Sequence, residues 1–210
     1  MVASSGLFIK APTMSNWTIG DAGIPTGWIT QSMGMKNYLM FTATQSGTFT
    51  FTMPAAVDTT YMTSVSYSTD GINWTTTNNS SSDVTITTPT IAAGKFVLWK
   101  GIGKQISKSN ENPTEISKFS STGTFKASGN VMSMLYGDDF ENRTEFPNGS
   151  TYSLGHLFSE CSNLTEITYL ELPATTLTDY CYAYMFEYNT AITSVPANLL
   201  PATTLATYCC

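Results

Sequence analysis

Ten residues stand almost twice in this chain, 28 positions apart: LPATTLTDYC from Leu172 and LPATTLATYC from Leu200. This doubling constrains folding more than composition does, because equivalent residues of neighbouring units must take equivalent places and bury against one another. From Leu154 onward the register runs without gaps. Leu157 and Phe158 fall on Met185 and Phe186, Leu164 and Thr165 on Ile192 and Thr193, and Ile167 on Val195. Tyr180 and Cys181 fall on Tyr208 and Cys209. A unit of this kind cannot bury its apolar face alone and needs a neighbour stacked on each side.

Within a unit, Leu177, Tyr180, Cys181, Tyr184 and Met185 stand at i, i+3, i+4, i+7 and i+8, the spacing of one helix face. Leu164, Ile167, Leu170 and Leu172 supply a short strand and its inward continuation. Pro173 and Pro201 close that ledge, and the Thr pair after each is placed to cap a helix start. The expected repeat core is Leu157, Phe158, Leu164, Ile167, Leu172, Leu177, Cys181, Met185, Phe186, Ile192, Leu200 and Leu205. A 28-residue period lies in the window of leucine-rich repeats. The second unit stops part-way, so the expectation is that further repeats belong beyond Cys210.

The upstream sequence alternates in the manner of strands. Threonine carries much of the polar share, and its branched side chain suits a pleated, half-exposed surface. YLMFTATQSGTFTFTM predicts two short strands about a Gly47 turn, with Phe49 and Phe51 on one face. SVSYSTDGINWTT predicts a hairpin with Val65 and Tyr67 inward and a tight turn at Asp70-Gly71. VTITTPTI and GKFVLWKG follow, the latter as a central strand. Five or more short strands at this spacing point to a small antiparallel β-sandwich. The expected organisation is an N-terminal arm over 1–35, the sandwich over 36–106, a linker and repeat-capping segment over 107–150, and the repeats over 151–210. The fold class is mainly β, ending in a short solenoid of 28-residue units with short helices. Trp17 and Trp28 of the arm are costly to leave in water, which makes them candidate anchoring residues.

Charged residues are 11% of the chain, against roughly 25% in an average domain. The net charge is −6 and the nine Lys and Arg are scattered, which argues against nucleic acid as a partner. No apolar run approaches the roughly 18 residues of a membrane span. The N-terminus lacks the charged and apolar regions of a secretion signal. The four cysteines, Cys161, Cys181, Cys209 and Cys210, fit no zinc spacing. Cys181 and Cys209, at equivalent positions, are expected as a ladder of small buried side chains rather than a disulfide.

Sites for chemistry are sparse. His156 has no marked nucleophile or carboxylate partner and is expected as an amphipathic ring on the repeat surface. Asp138, Asp139 and Glu141 form an acidic cluster, but neighbours in one turn rarely converge across a sugar ring as glycosidase carboxylates do. The cluster also lacks the spacing of a calcium loop. The sequons at Asn73, Asn142, Asn148 and Asn163 reflect Ser/Thr-rich composition. No catalytic, cofactor-binding or metal-ligating residue is assigned, and the chain is not expected to be an enzyme.

FSECSNLTEI, from Phe158 to Ile167, resembles the F-x-x-C-x-x-L-x-x-I core of BspA-type leucine-rich repeats. LPATTLTDYCYAYMF resembles the variant found in surface and fibre proteins of gut Bacteroidetes and their phages. YSTDGINWTT, GKFVLWKG, FSSTGTF and SGNVMSMLYGDDF are similar to the module preceding such repeats, so the resemblance spans about 37 to 210. Asn189 stands where the family has cysteine. The resemblance implies a structural virion protein, a head-fibre or decoration subunit of a crAss-like phage. On this reading the arm anchors to capsid or other virion proteins, while the rest projects toward a host surface glycan or protein. A homo-oligomer is expected, a trimer ahead of a dimer. The absent secretion signal suits assembly in the host cytoplasm and localisation to the virion. The alternative is a bacterial cell-surface adhesin that binds glycan or protein through its repeats.

Overall fold

The computed structural model describes residues 7–10, 20, 23–26, 28–32, 36–55, 61–108 and 115–210. Trp17 lies outside them. The chain divides into two compact units, residues 1–36 and 37–210. In the first, β1 (Leu7–Lys10) pairs in parallel with β2 (Ile29–Ser32). Trp28 there is half-buried, and its backbone amide donates to the Pro25 carbonyl at 3.1 Å.

The second unit is mainly β, built on antiparallel sheets. Its strands are β3 (Leu39–Ala43), β4 (Phe49–Met53), β5 (Ser64–Ser68), β6 (Thr75–Asn78), β7 (Val84–Thr87) and β8 (Phe96–Ile102). β9 (Lys118–Ser121), β10 (Phe125–Asn130) and β11 (Leu164–Glu171) complete them, with one helical turn, α1 (Ser133–Tyr136), after β10. A six-stranded sheet runs β11-β10-β3-β8-β5-β6, and a three-stranded sheet runs β7-β4-β9. Strand β4 shows how the alternation works. Phe49, Phe51 and Met53 are buried, while the Thr50 and Thr52 hydroxyls meet those of Thr87 and Thr85 at 3.1 and 3.4 Å.

The two sheets share an aromatic core. Phe41 on β3 is the hub, with ring centroids 5.5 Å from Phe49, 4.7 Å from Phe119, 4.8 Å from Phe125 and 6.0 Å from Trp99. The same ring lies 5.8 Å from Phe158, so this core runs into the repeat region without a break. β8, expected as a central strand, lies between β3 and β5.

Several expectations need correction. The described residues 115–150 are more than a linker and repeat cap: β9 and β10 belong to the two sheets, and β10 pairs in parallel with β11 of the first repeat. The strands flanking Gly47 go to different sheets. The β5–β6 hairpin closes from Tyr67↔Thr75, leaving a longer loop than a tight Asp-Gly turn. Asp70 organises that loop, accepting hydrogen bonds from the Ile72 and Asn73 amides at 2.8 Å and from the Asn73 side chain at 2.7 Å. These donors hold its carboxyl well below the usual carboxylate range. Tyr67 is half-buried, whereas Ser66 and Ser68 are buried.

The repeats contain no α-helix over 177–185. Tyr180, Tyr184 and Tyr188 have φ of 57°, 56° and 57°, which a right-handed helix forbids. The segment is a run of turns with a four-residue period. Two such turns place side chains at the same i, i+3, i+4, i+7 and i+8 offsets as a helix face, so the apolar spacing could not separate the two paths. With no helix to cap, the Thr175 amide donates instead to the Thr144 carbonyl at 2.9 Å. The second unit also lacks a strand over 192–199, where the first has β11.

Candidate functional site

The turn run folds by a strict division of its backbone groups. Odd-numbered amides close turns on carbonyls three residues back: Ala183 to Tyr180 at 3.2 Å, Met185 to Tyr182 at 3.2 Å, Glu187 to Tyr184 at 3.1 Å. Even-numbered amides donate across to the next unit. Leu154, His156, Phe158 and Glu160 reach the carbonyls of Cys181, Ala183, Met185 and Glu187 at 2.8, 2.9, 3.0 and 2.8 Å. Tyr180 and Tyr182 continue to Thr207 and Cys209 at 3.0 and 2.7 Å. Nearly every main-chain group in the stack is thereby paired, as buried backbone requires.

The residue at every fourth position is left-handed: Tyr152, His156 and Glu160, then Tyr180, Tyr184 and Tyr188, then Tyr208. Such a backbone costs about 1–2 kcal/mol per non-glycine residue. Stacking between units offsets part of it. Tyr152 lies 4.7 Å from Tyr180, Tyr180 lies 5.2 Å from Tyr208, and His156 lies 4.9 Å from Tyr184, all within 26° of parallel. Phe158 and Phe186 stack at 5.6 Å and 6°.

The sheets cover the first edge of this ladder. Odd carbonyls of the first unit accept from Ile106 N (to Ser153, 3.1 Å), Ser107 Oγ (to Gly155, 3.2 Å) and Phe119 N (to Leu157, 3.0 Å). At the far edge, the amides of Tyr184, Phe186 and Tyr188 have no acceptor among the described residues. An apolar cavity of about 430 Å³ opens beside them, lined by Leu172, Met185, Phe186, Leu199, Leu200 and Cys210, with Glu187 also on its wall. Tyr184 is exposed on its wall, and Tyr188 and Tyr208 are exposed as well. This edge is the candidate site.

The expected repeat-core residues divide by position along the stack. Leu157, Phe158, Leu164, Ile167, Leu172, Cys181 and Met185 are buried. Leu177, Phe186, Ile192 and Leu200 are half-buried, and Leu205 is 65% exposed. Burial falls toward the far edge because each unit is covered by the one after it. Asn189 spans units by donating its side-chain amide to the Phe158 carbonyl at 2.5 Å.

His156 is not a surface ring: it is 3% exposed and neither ring nitrogen has a hydrogen-bond partner among the described residues. Burial, then the nearby Lys118 charge, pushes its pKa down, against a smaller opposing pull from Glu160. Asp138 accepts from Tyr38 Oη at 2.6 Å and from Lys100 Nζ at 2.8 and 2.9 Å, so its carboxylate serves the fold. The Cys181 thiol donates to the Cys209 carbonyl at 3.7 Å, and all four cysteines are free. Among the described residues no three His, Cys, Asp or Glu side chains gather to hold a metal. No helix among them is long and apolar enough to cross a membrane.

Sequence reasoning did not find the open donor edge. Its signal was present in YCYAYMFEY, where tyrosine recurs at 180, 184 and 188. Comparison of the chain with protein-family models, curated proteins and solved structures finds no match.

Proposed function

We propose that this chain is a structural virion protein, a head-fibre or decoration subunit of a phage, whose 151–210 region forms units of a BspA-type leucine-rich-repeat solenoid. The observation that carries this reading is the unbroken path from the sheets into the ladder. β11 extends the six-stranded sheet, Phe158 enters the Phe41 core, and three sheet-side donors seal the first edge. A stack seeded on a sheet in this way is stiff and directional, as a projecting binding module needs to be.

The arm containing Trp17 and Trp28 would anchor to capsid or other virion proteins, and copies would assemble as a homo-oligomer, a trimer ahead of a dimer. The far edge would face a host surface glycan or protein. No catalytic role is assigned, in keeping with the structural duty of Asp138. Immunogold labelling and mass spectrometry of purified particles test the reading. The protein should copurify with capsids, and deletion of residues 1–36 should leave a folded product that no longer attaches. Absence from particles together with display on bacterial cells would favour the adhesin alternative.

A further inference from the structure

We propose that the segment from Tyr136 to Asn148 holds a binding site for a neutral saccharide. A cavity of about 450 Å³ opens there, within the size range of small-molecule sites, and its walls include Tyr136, Asn142, Arg143, Thr144, Glu145 and Asn148. The site uses none of the ladder's far edge, and it stands whether or not the chain belongs to a virion. Its walls are held in shape from both sides. The Thr175 and Thr176 amides of the first unit donate to the Thr144 carbonyl at 2.9 and 3.4 Å, and the Ser150 amide closes a turn on Pro147 at 3.1 Å. Phe146 is buried, with its ring 5.2 Å from that of Tyr182. Tyr136 donates its hydroxyl to the Glu145 carbonyl at 2.8 Å, which fixes the ring. The Arg143 guanidinium lies 4.7 Å over that ring and donates from Nε to the Asp139 carbonyl at 3.1 Å.

The fold positions these groups without consuming them. Arg143 is set by neutral partners and joins no ion pair among the described residues. The side chains of Asn142, Thr144, Glu145 and Asn148 make no hydrogen bond to other described residues, and Glu145 and Thr144 engage the fold through their carbonyls alone. Their chemistry selects the ligand. Arg143 and Glu145 bring one charge of each sign, so a small anion meets Glu145 and a small cation meets Arg143. An apolar ligand would strip water from these side chains and return no hydrogen bond. A sugar hydroxyl both donates and accepts, so one ring can serve the guanidinium, the carboxylate and the amides together. Two adjacent hydroxyls also match the donor and acceptor that each asparagine amide presents side by side. Walls already fixed by Thr175, Thr176 and Tyr136 reduce the ordering cost of binding.

The test titrates the full chain, under reducing conditions, with the methyl glycosides of glucose, galactose, mannose and N-acetylglucosamine, followed by NMR. N-acetylneuraminic acid and alanine serve as an acidic and a zwitterionic comparison. At least one neutral glycoside should bind saturably and shift the backbone amides of Asn142, Thr144 and Asn148, with an affinity that salt leaves unchanged. Arg143→Ala and Asn148→Ala should each weaken binding roughly tenfold. Both side chains are exposed, so the melting temperature should stay near that of the unaltered chain. Asn148→Ala removes no hydrogen bond of the fold, which keeps the test decisive if Arg143→Ala loosens the loop. No saturable binding at tens of millimolar glycoside would overturn the proposal. Shifts confined to other residues, binding that both variants retain, or binding by the charged comparisons alone would do the same. Glycoside binding by a protein absent from purified particles would uphold the site and remove the virion reading.

Discussion

The His156 imidazole lies 4.9 Å from the Tyr184 ring and 16° from parallel, and both residues hold a left-handed backbone, at φ 63° and 56°. One ring thus copies the other a unit later, but only His156 can gain a proton near neutral pH. Because burial lowers its pKa in the folded chain, the unfolded chain binds more protons just below the ordinary value of 6.5. Its contribution is therefore complete above pH 6.5 and declines as pH falls through and below that point, until the folded form also protonates. Thermal melts from pH 7.5 to 5 should show a falling melting temperature, with a shallower slope in His156→Tyr, which installs the second unit's own residue. Equal slopes in the two proteins would remove His156 as the cause.

Phe41 joins both sheets to the ladder, so its loss should be felt in all three. Phe41→Ala should cost about 3–5 kcal/mol, the usual range for a buried phenylalanine. Denaturant unfolding followed by tryptophan fluorescence and by far-ultraviolet circular dichroism should give coincident transitions in the parent. A ladder signal that outlasts the sheet signal would contradict the shared core.

Two glycines separate backbone conformation from crowding. Gly129 has φ 78°, and a Cβ there would lie 2.0 Å from the Tyr38 carbonyl oxygen; Gly149 has φ 75° with open space around it. Gly149→Ala should cost about 1–2 kcal/mol, the strain of a left-handed alanine. Gly129→Ala carries that strain and a backbone collision, so it should cost distinctly more or prevent folding. Melting temperatures of the two variants check the order.

The cysteines should differ in reactivity. Burial pushes the Cys161 thiol up to about 12 and the Cys181 thiol up to about 11, which leaves little thiolate at pH 8. The Cys210 thiol is pushed up to about 12 as well, by partial burial and then by its contact with Cys209, so access sets the order: Cys209 is buried and Cys210 is exposed. Titration with a disulfide reagent should modify Cys210 first, with Cys161 and Cys181 reacting only as the protein unfolds. Rapid native labelling of Cys181, located by mass spectrometry, would show that the far edge opens readily.

Much of the sheet architecture was legible because its signal is local. Phe49, Phe51 and Met53 alternate with Thr50 and Thr52 in the sequence, and they alternate between burial and half-exposure in β4. TFKASG reads as strand-like, but KFSS carries the small polar residues of a loop, and neither segment shows which strands it joins. Their strand character comes from partners far along the chain, β4, β3 and β11. The His156 environment was hidden for a similar reason: its neighbours Tyr184 and Lys118 are 28 and 38 residues away.

The sequence by itself determined the 28-residue register and the inward residues of the first unit, because stacked units must repeat the side chains they bury. Only the tertiary structure decided the path between them. Helix and four-residue turn place apolar side chains alike over two turns, and what separates them is where the amides go. In a helix the even amides would be spent within the segment. Here they cross to the next unit, leaving Tyr184, Phe186 and Tyr188 with donors turned outward.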